Sequence, residues 1–346
     1  MPSAYEKISI IVLTHNRKRL LQDCLHSLLA QTYPLEKLEI LVSDDGSHDG
    51  TRELVERLQT QHAHVKYFHQ PHKGIAAARN NGIVHATGEI VAIVADDYIL
   101  DSTYAKTIAE FFHGHPEAMV VRFKVIAARN DLGSRISHFY FDVSVRRRLS
   151  SIADSIPRNW RERIRQVWQK VPSFEETITT QHHLEAAGAA AFRREVFARV
   201  GLFDESLQRA EDTDMTKRLR EFGIAVYYYP YQQIKHQYAP FLLDTLHKCF
   251  QTGFNRYKLY QKHEFAADNG RSIAKTIVVH KIGMVLDALW RARQAESMIK
   301  VLFYLPFMLL FEAANKAGFL FGLLSGRSSA RKSSQKRETN TDFCSK

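Results

Sequence analysis

The sequence predicts an α/β fold built on a mostly parallel central sheet flanked by helices. Three apolar runs of strand length, 8–13, 38–42 and 90–94, are rich in Ile and Val. Helix-like segments separate them, and strand-helix alternation implies parallel pairing. Each run ends in a short polar cluster: Thr14-His15-Asn16-Arg17, Ser43-Asp44-Asp45-Gly46-Ser47 and Ala95-Asp96-Asp97. Ligands of an open parallel sheet bind outside the carboxyl ends of its strands, where all three clusters fall. Two clusters are acidic and would repel a phosphate without an intervening cation. The pattern suits a metal-bound diphosphate such as that of a nucleotide sugar.

Each element follows in order. Leu20, Leu21, Leu25, Leu28 and Leu29 share one face of a helix over 17–30. A second helix, 51–61, takes Ser47 or Asp49 as its cap. A strand at 65–68 precedes a helix over 74–85, where Ala76, Ala77 and Ala78 permit close packing. Asp101 caps a helix over 102–112, and 118–126 reads as a strand. Between 129 and 183 the periodicity fades, apart from Arg146-Arg147-Arg148 and a helix around 160–168. Order returns with 188–192, a helix over 194–200 and a turn at 201–205. A helix over 211–222 is closed by Gly223, and Pro230 stops a strand over 224–229.

After His236 the chain turns helical, forming a helical C-terminal extension. Segments 240–263 and 272–296 read as amphipathic helices. The apolar stretches 301–311 and 319–324 are interrupted by Glu312, Asn315 and Lys316. That falls short of the roughly 20 clean residues of a spanning helix, and Glu312 can pair with Lys316 one turn on. An interfacial helix pair is the first expectation. A spanning hairpin and a helix packed on the protein's own core are the alternatives. The Ser-, Lys- and Arg-rich segment 326–346 reads as a disordered basic tail.

Composition narrows the function classes. The 346 residues are 45% hydrophobic and 25% charged, as in a folded soluble protein. Cys24, Cys249 and Cys344 are too few and too widely spaced for a disulfide framework or a zinc site. No basic-then-apolar secretory signal is visible at the N-terminus. The net charge of +11 gathers in 122–165, 248–293 and 327–337. No nucleic-acid-binding motif accompanies it, so an anionic membrane surface or a phosphorylated acceptor explains it better. Scattered solvated charge is the plainer alternative.

The motifs also carry a resemblance. Residues 10–17, Ser43-Asp44-Asp45-Gly46-Ser47, Ala78-Arg79-Asn80-Asn81-Gly82-Ile83 and Gly88-Glu89-Ile90 resemble family 2 glycosyltransferases, in the family's order. So do residues 192–197, Gly201-Leu202-Phe203-Asp204-Glu205 and Glu211-Asp212-Thr213-Asp214. The resemblance covers about 7–237. It implies a GT-A nucleotide-sugar-binding fold and transfer of sugars from nucleotide donors with inversion, usually with a divalent metal (Mn2+ or Mg2+).

The resemblance also implies roles. Asp44 and Asp45 sit at the motif for nucleoside recognition, with Thr14 and Asn16 beside base and ribose and Arg79 as a nearby cation. Asp97 matches the second acidic position of the metal motif and Asp96 its middle, serving ribose or metal; the first acidic position is Ala95. His236 stands where many members supply a histidine to the metal. Asp212, preceded by Glu211, matches the general base. Plainer alternatives are helix capping for Asp44-Asp45 and for Glu211-Asp212, a surface arginine for Arg79 and a structural histidine for His236.

The expected organisation is a catalytic domain over 1–237, with a nucleotide-binding half (1–126) and an acceptor half (127–237). A membrane-associating helical region (238–325) and the tail follow. The expected activity is inverting sugar transfer to a glycan or lipid-linked acceptor by an enzyme peripheral to the cytoplasmic side of the cell membrane. No nucleic-acid partner is expected. The alternatives are a soluble small-molecule acceptor, or a nucleotide-sugar-binding or scaffold protein with lost catalysis.

Overall fold

The computed structural model describes residues 6–149, 178–181, 187–207, 209–238, 241–262 and 298–341. The expected helices at 160–168 and 272–296 lie outside these residues. The first half alternates as expected: β1 (Ile8–Thr14), α1 (Lys18–Leu29), β2 (Leu38–Asp44), α2 (Thr51–Gln61), β3 (Val65–His69), α3 (Ile75–His85) and β4 (Ile90–Ala95). There follow β5 (Tyr98–Ile99), α4 (Tyr104–Gly114), β6 (Val120–Ala127), α5 (Leu132–Leu149), β7 (Thr179–Gln181) and β8 (Ala189–Arg193). The chain continues with α6 (Glu195–Val200), α7 (Glu211–Glu221), β9 (Val226–His236), α8 (Leu242–Lys262) and α9 (Met298–Thr341).

The strands form one nine-stranded sheet in the order β3-β2-β1-β4-β8-β6-β9-β5, with β7 also paired to β9. The β1–β4 pairs are parallel. The mostly parallel expectation holds there, whereas β8 inserts antiparallel between β4 and β6. Both faces of the central strands are covered, so residues such as Ile10 and Ile11 are fully buried on opposite sides. This explains why these strands read as continuous apolar runs. At the opposite end from the polar clusters, buried Glu39 accepts hydrogen bonds from Ser9 Oγ (2.5 Å), Thr87 N (2.7 Å) and Lys66 Nζ (2.8 Å).

One local alternative is resolved and three expectations need correction. Asp49, not Ser47, receives the backbone N–H of Thr51 (3.2 Å), and its second oxygen receives that of Lys18 (2.8 Å), so one carboxylate serves the starts of α2 and α1. Ser47 Oγ instead accepts from Asn16 N (2.8 Å). Pro230 does not stop β9. The register with β6 jumps from Phe123↔Tyr229 to Lys124↔Gln233. Such a bulge tolerates a residue without an N–H. The apolar stretches after residue 300 form one continuous helix, with Pro306 inside it. Its backbone runs on through the segment expected to be disordered as far as Thr341, since a packed helix propagates more readily than it nucleates.

The helical extension packs on α5 through Ile136, Phe139 and Tyr140, against Cys249 of α8 and Tyr304, Met308 and Phe311 of α9. Glycines let α8 and α9 touch backbone to backbone. A Cβ on Gly253 would stand 1.7 Å from Asn315 O, and one on Gly318 2.0 Å from Phe250 O. The buried face of α9 carries Tyr304, Met308 and Phe311 together with two polar residues, and its outward face is apolar as well. Glu312 and Asn315 are buried, while Leu302, Phe303, Leu309, Leu310, Leu320, Phe321 and Leu324 are exposed.

Candidate active site

The three polar clusters meet at the carboxyl edge of the sheet. β1 and β4 are adjacent and parallel, which sets Thr14 and Arg17 beside the end of β4. Thr14 Oγ1 donates to Asp96 Oδ2 (2.9 Å). Arg17 forks across the acidic pair, with Nη1 2.6 Å from Asp96 Oδ1 and Nη2 2.9 Å from Asp97 Oδ2. β9 delivers His236 from the far side, its Nε2 3.3 Å from Asp97 Oδ2. Tyr98 packs edge-on to the His236 ring at 5.0 Å.

The two buried carboxylates are not equivalent. Burial pushes Asp96 up to about 7, with repulsion from Asp97 adding and Arg17 opposing. Burial also acts on Asp97, but His236, Arg17 and Lys248 outweigh it and hold that carboxyl far below the usual carboxylate range.

The second cluster is a folded loop. Asp44 accepts from Ser47 N (2.9 Å) and the Tyr67 hydroxyl (2.6 Å). Asp45 accepts from Lys73 N and Gly74 N, both at 2.9 Å, and from Gln70 Nε2 at 2.7 Å. Gly46 has φ +84°, and a Cβ there would stand 2.8 Å from His72 N. This glycine is therefore required for the close approach of the β3–α3 loop. Asn16, at φ 51°, ties the first cluster to the second through His48 N (2.8 Å). The expected nucleoside residues Thr14, Asn16, Asp44 and Asp45 thus form one bonded unit.

The structure gives Arg79 a partner other than the expected nucleotide. It is buried, its Nη1 bonds Glu211 Oε1, and its guanidinium lies 5.0 Å from the Phe203 ring centre. Asn80 locks the same turn, donating to Phe203 O (2.8 Å) and accepting from Phe203 N (2.9 Å). Glu211 is also buried, and desolvation, reinforced by Asp212, raises its pKa against the pull of Arg79. Glu211 is therefore occupied in holding α7 to α3, while Asp212 beside it is half-exposed and accepts from Thr213 N (2.7 Å). Asp214 is structural: it pairs with Arg218 (2.9 Å), which donates to Val200 O (2.8 Å).

Among the described residues, two sets of side chains offer donors to a cation. Asp97 pairs with His236 and shares Arg17 with Asp96; two carboxylates and an imidazole are ligand types that suit a divalent ion. Arg17 holds the same oxygens and would have to yield them. His15, Asp45 and His72 also bring ligand atoms within 4.8 Å of one another and could hold a metal ion. There the imidazoles stack at 4.2 Å and 23°, and Asp45 already accepts hydrogen bonds from Gln70, Lys73 and Gly74. The first set is the one that stands at the expected metal position.

Sequence reasoning assigned no role to Arg17, Arg209 or Lys248, which all act electrostatically at this site. Arg17 was visible in the first cluster. Lys248 carries no local signal, being one cation on an amphipathic helix.

Residues 9–201 match glycosyl transferase family 2. EpsJ of Bacillus subtilis, an uncharacterized glycosyltransferase, is 27% identical over 268 residues, covering 73% of this chain and 70% of that protein. The GalNAc(5)-diNAcBac-PP-undecaprenol beta-1,3-glucosyltransferase of Campylobacter jejuni is 40% identical over 106 residues, 30% of this chain and 34% of the relative. The mannosyltransferase PcManGT of Pyrobaculum calidifontis, solved with GDP-Man and Mn2+, has a TM-score of 0.57 at 18% identity, covering 93% of this chain and 88% of its own. That likeness confirms the GT-A architecture with its helical extension.

Proposed function

The chain belongs to glycosyl transferase family 2, and on that premise we propose that it inverts the anomeric centre of a nucleotide sugar while transferring the sugar to an acceptor hydroxyl. The observation that carries this reading is the convergence of Asp96, Asp97, Arg17 and His236 at the carboxyl edge of the sheet. Asp97, with Asp96 and His236, would hold a divalent cation, Mn2+ or Mg2+, whose chemistry is to neutralise the leaving diphosphate. The bonded unit of Thr14, Asn16, Asp44 and Asp45 shapes the nucleoside end. Asp44 retains acceptor lone pairs for base or ribose donors, whereas Asp45, held by Gln70, Lys73, Gly74 and His72, shapes the loop around them.

Asp212 takes the proton from the acceptor hydroxyl. The freed oxygen attacks the anomeric carbon opposite the diphosphate, the glycosidic oxygen leaves with its electron pair, and configuration inverts. Glu211 and Arg79 fix the position of α7, so Glu211 is a positioning residue in this scheme. Residues 1–237 are the catalytic domain, with nucleotide and acceptor halves meeting near residue 126.

The acceptor is a lipid-linked or cell-surface glycan, and the enzyme rests on the cytoplasmic side of the cell membrane through 238–325. The exposed apolar face of α9 supports this, as does the undecaprenol-linked acceptor named for the Campylobacter relative. Incubating the purified full chain with Mn2+, a panel of nucleotide sugars and lipid-linked glycan acceptors tests the reading. One donor should be consumed, and consumption should stop in EDTA and in Asp97→Ala. Full activity in EDTA would remove the metal assignment, and indifference to every donor would contradict the proposal.

A further inference from the structure

Arg122 is a charged residue in the middle of a core strand. It is 5% exposed and sits on β6 between Val121 and Phe123, which belong to the apolar layer on the opposite face. Its Nε and Nη1 are buried without a hydrogen-bond partner, and among the described residues it makes no ion pair. The guanidinium lies over the Tyr228 ring of β9, 5.6 Å from its centre. Two arginines of the helices on this face are matched, Arg79 with Glu211 and Arg218 with Asp214. Arg122 is not, and a ring face offsets only part of the cost of burying a charge.

The register puts this residue just beneath the catalytic edge. Arg122 is level with Ala190 of β8, which is level with Ile93 of β4. β8 is antiparallel to both neighbours, so β6 and β4 run the same way. The level of Ala95 is therefore two residues higher, roughly 7 Å of strand, a span within the length of an arginine side chain. Val120, two residues back on the same face, shares a buried cluster with Met215 and Leu219 of α7. α7 leads into β9, which is parallel to β6. It therefore runs back across the sheet, and its first turn, bearing Asp212, lies toward the carboxyl edge above Arg122. In this layer β8 places only the methyl of Ala190 between Ile93 and Arg122. The field of Arg122 also reaches the buried Tyr98 hydroxyl beside His236: burial and Asp97 raise its pKa, and Arg122 and Arg79 oppose them.

We propose that Arg122 binds a carboxylate on the sugar handled at this site, so that the transferase acts on a uronic acid or another acidic sugar. This rests on the transferase reading above. The planar guanidinium fork matches a carboxylate with two parallel N–H···O bonds. A neutral sugar would leave the buried cation unpaired, whereas a carboxylate satisfies it, which is the arrangement that discriminates most strongly between substrates. Donor and acceptor sugars meet beside Asp212 in that reading, so the carboxylate belongs to one or the other.

Calorimetric titration of the full chain in Mn2+ with matched ligand pairs tests this. The donor pairs are UDP-glucuronate against UDP-glucose and GDP-mannuronate against GDP-mannose. The acceptor pair is methyl glucuronide against methyl glucoside, each added with UDP or GDP. Wild type should bind the acidic member of at least one pair about tenfold or more tighter. A preference within a donor pair assigns the acidic sugar to the donor, and one within the acceptor pair assigns it to the acceptor. Arg122→Met should abolish the preference and leave the affinity for UDP and GDP unchanged, and Arg122→Lys should keep part of it. Since the charge is unpaired without ligand, Arg122→Met should melt no lower than wild type. A lower melting temperature with the preference intact would mark a structural arginine and overturn the proposal. So would a wild type without preference in any pair, even one that transfers neutral sugars, which would leave the transferase reading standing. An Arg122-dependent preference in a protein that transfers no sugar would instead defeat the transferase reading alone.

Discussion

Arg79 and Glu211 form a buried ion pair that joins α3 to the helix bearing Asp212. Arg79→Ala should leave Glu211 as an uncompensated buried charge and cost about 3–5 kcal/mol of stability in urea unfolding. Adding Glu211→Gln should recover part of that loss; strictly additive losses would show that the pair is not coupled. Glu39 offers a second test. Burial would raise its pKa, but hydrogen bonds from Lys66, Ser9 and Thr87 lower it to about 2. The folded value lies below the unfolded one. Its contribution is therefore complete above about pH 4.5 and fades as the pH falls toward about 2. Glu39→Gln should destabilise by on the order of 2–3 kcal/mol at pH 7, with a much smaller deficit at pH 2; a pH-independent deficit would contradict this origin. At this scale the sequence was legible where a residue terminates a strand. Asp44, Asp96 and Asp97 sit where strand ends predict. The partner of Arg79, 132 positions away, was not legible, because periodicity carries no information about contacts between distant segments.

Among the elements, strands and helices of the first half were readable because each has one period and a clear terminator. β9 misled because Pro230 normally ends a strand, and only the bulge against β6 explains its survival. The direction of β8 was equally invisible, since an apolar run does not reveal its orientation. The α8–α9 contact turns on Gly253 and Gly318. Gly318→Leu should push the helices apart, because the atom in the way is backbone and cannot yield. Amides of 250–257 should then exchange with deuterium faster while those of β1 and β4 do not; unchanged exchange in α8 would show that the close contact does not hold it.

Across the whole molecule, the sheet and the extension face different surroundings. The sheet is covered on both faces, whereas α9 buries Glu312 and Asn315 and turns Leu and Phe outward. Its apolar segment Leu302–Ser325 is long enough to cross a membrane, and 28% of it is buried within the protein. Burial of exposed apolar surface in lipid is favourable by about 25 cal/mol per Å², and basic residues add attraction to anionic headgroups. The full chain should float with anionic liposomes. The double variant Leu310→Glu/Phe321→Glu should remain in the soluble fraction with an unchanged melting temperature. Equal flotation of both proteins would remove this face from the membrane. The sequence showed the apolar stretches and their interruptions but not which apolar residues face outward, because which side of a helix meets the protein depends on its partner.

The central claim, sugar transfer by proton removal at Asp212, is tested most directly by the transfer rate of Asp212→Asn, with donor affinity measured on the same preparation. The predicted result is a rate lowered by about 10²–10⁴-fold with donor affinity close to wild type. Transfer at the wild-type rate would contradict it.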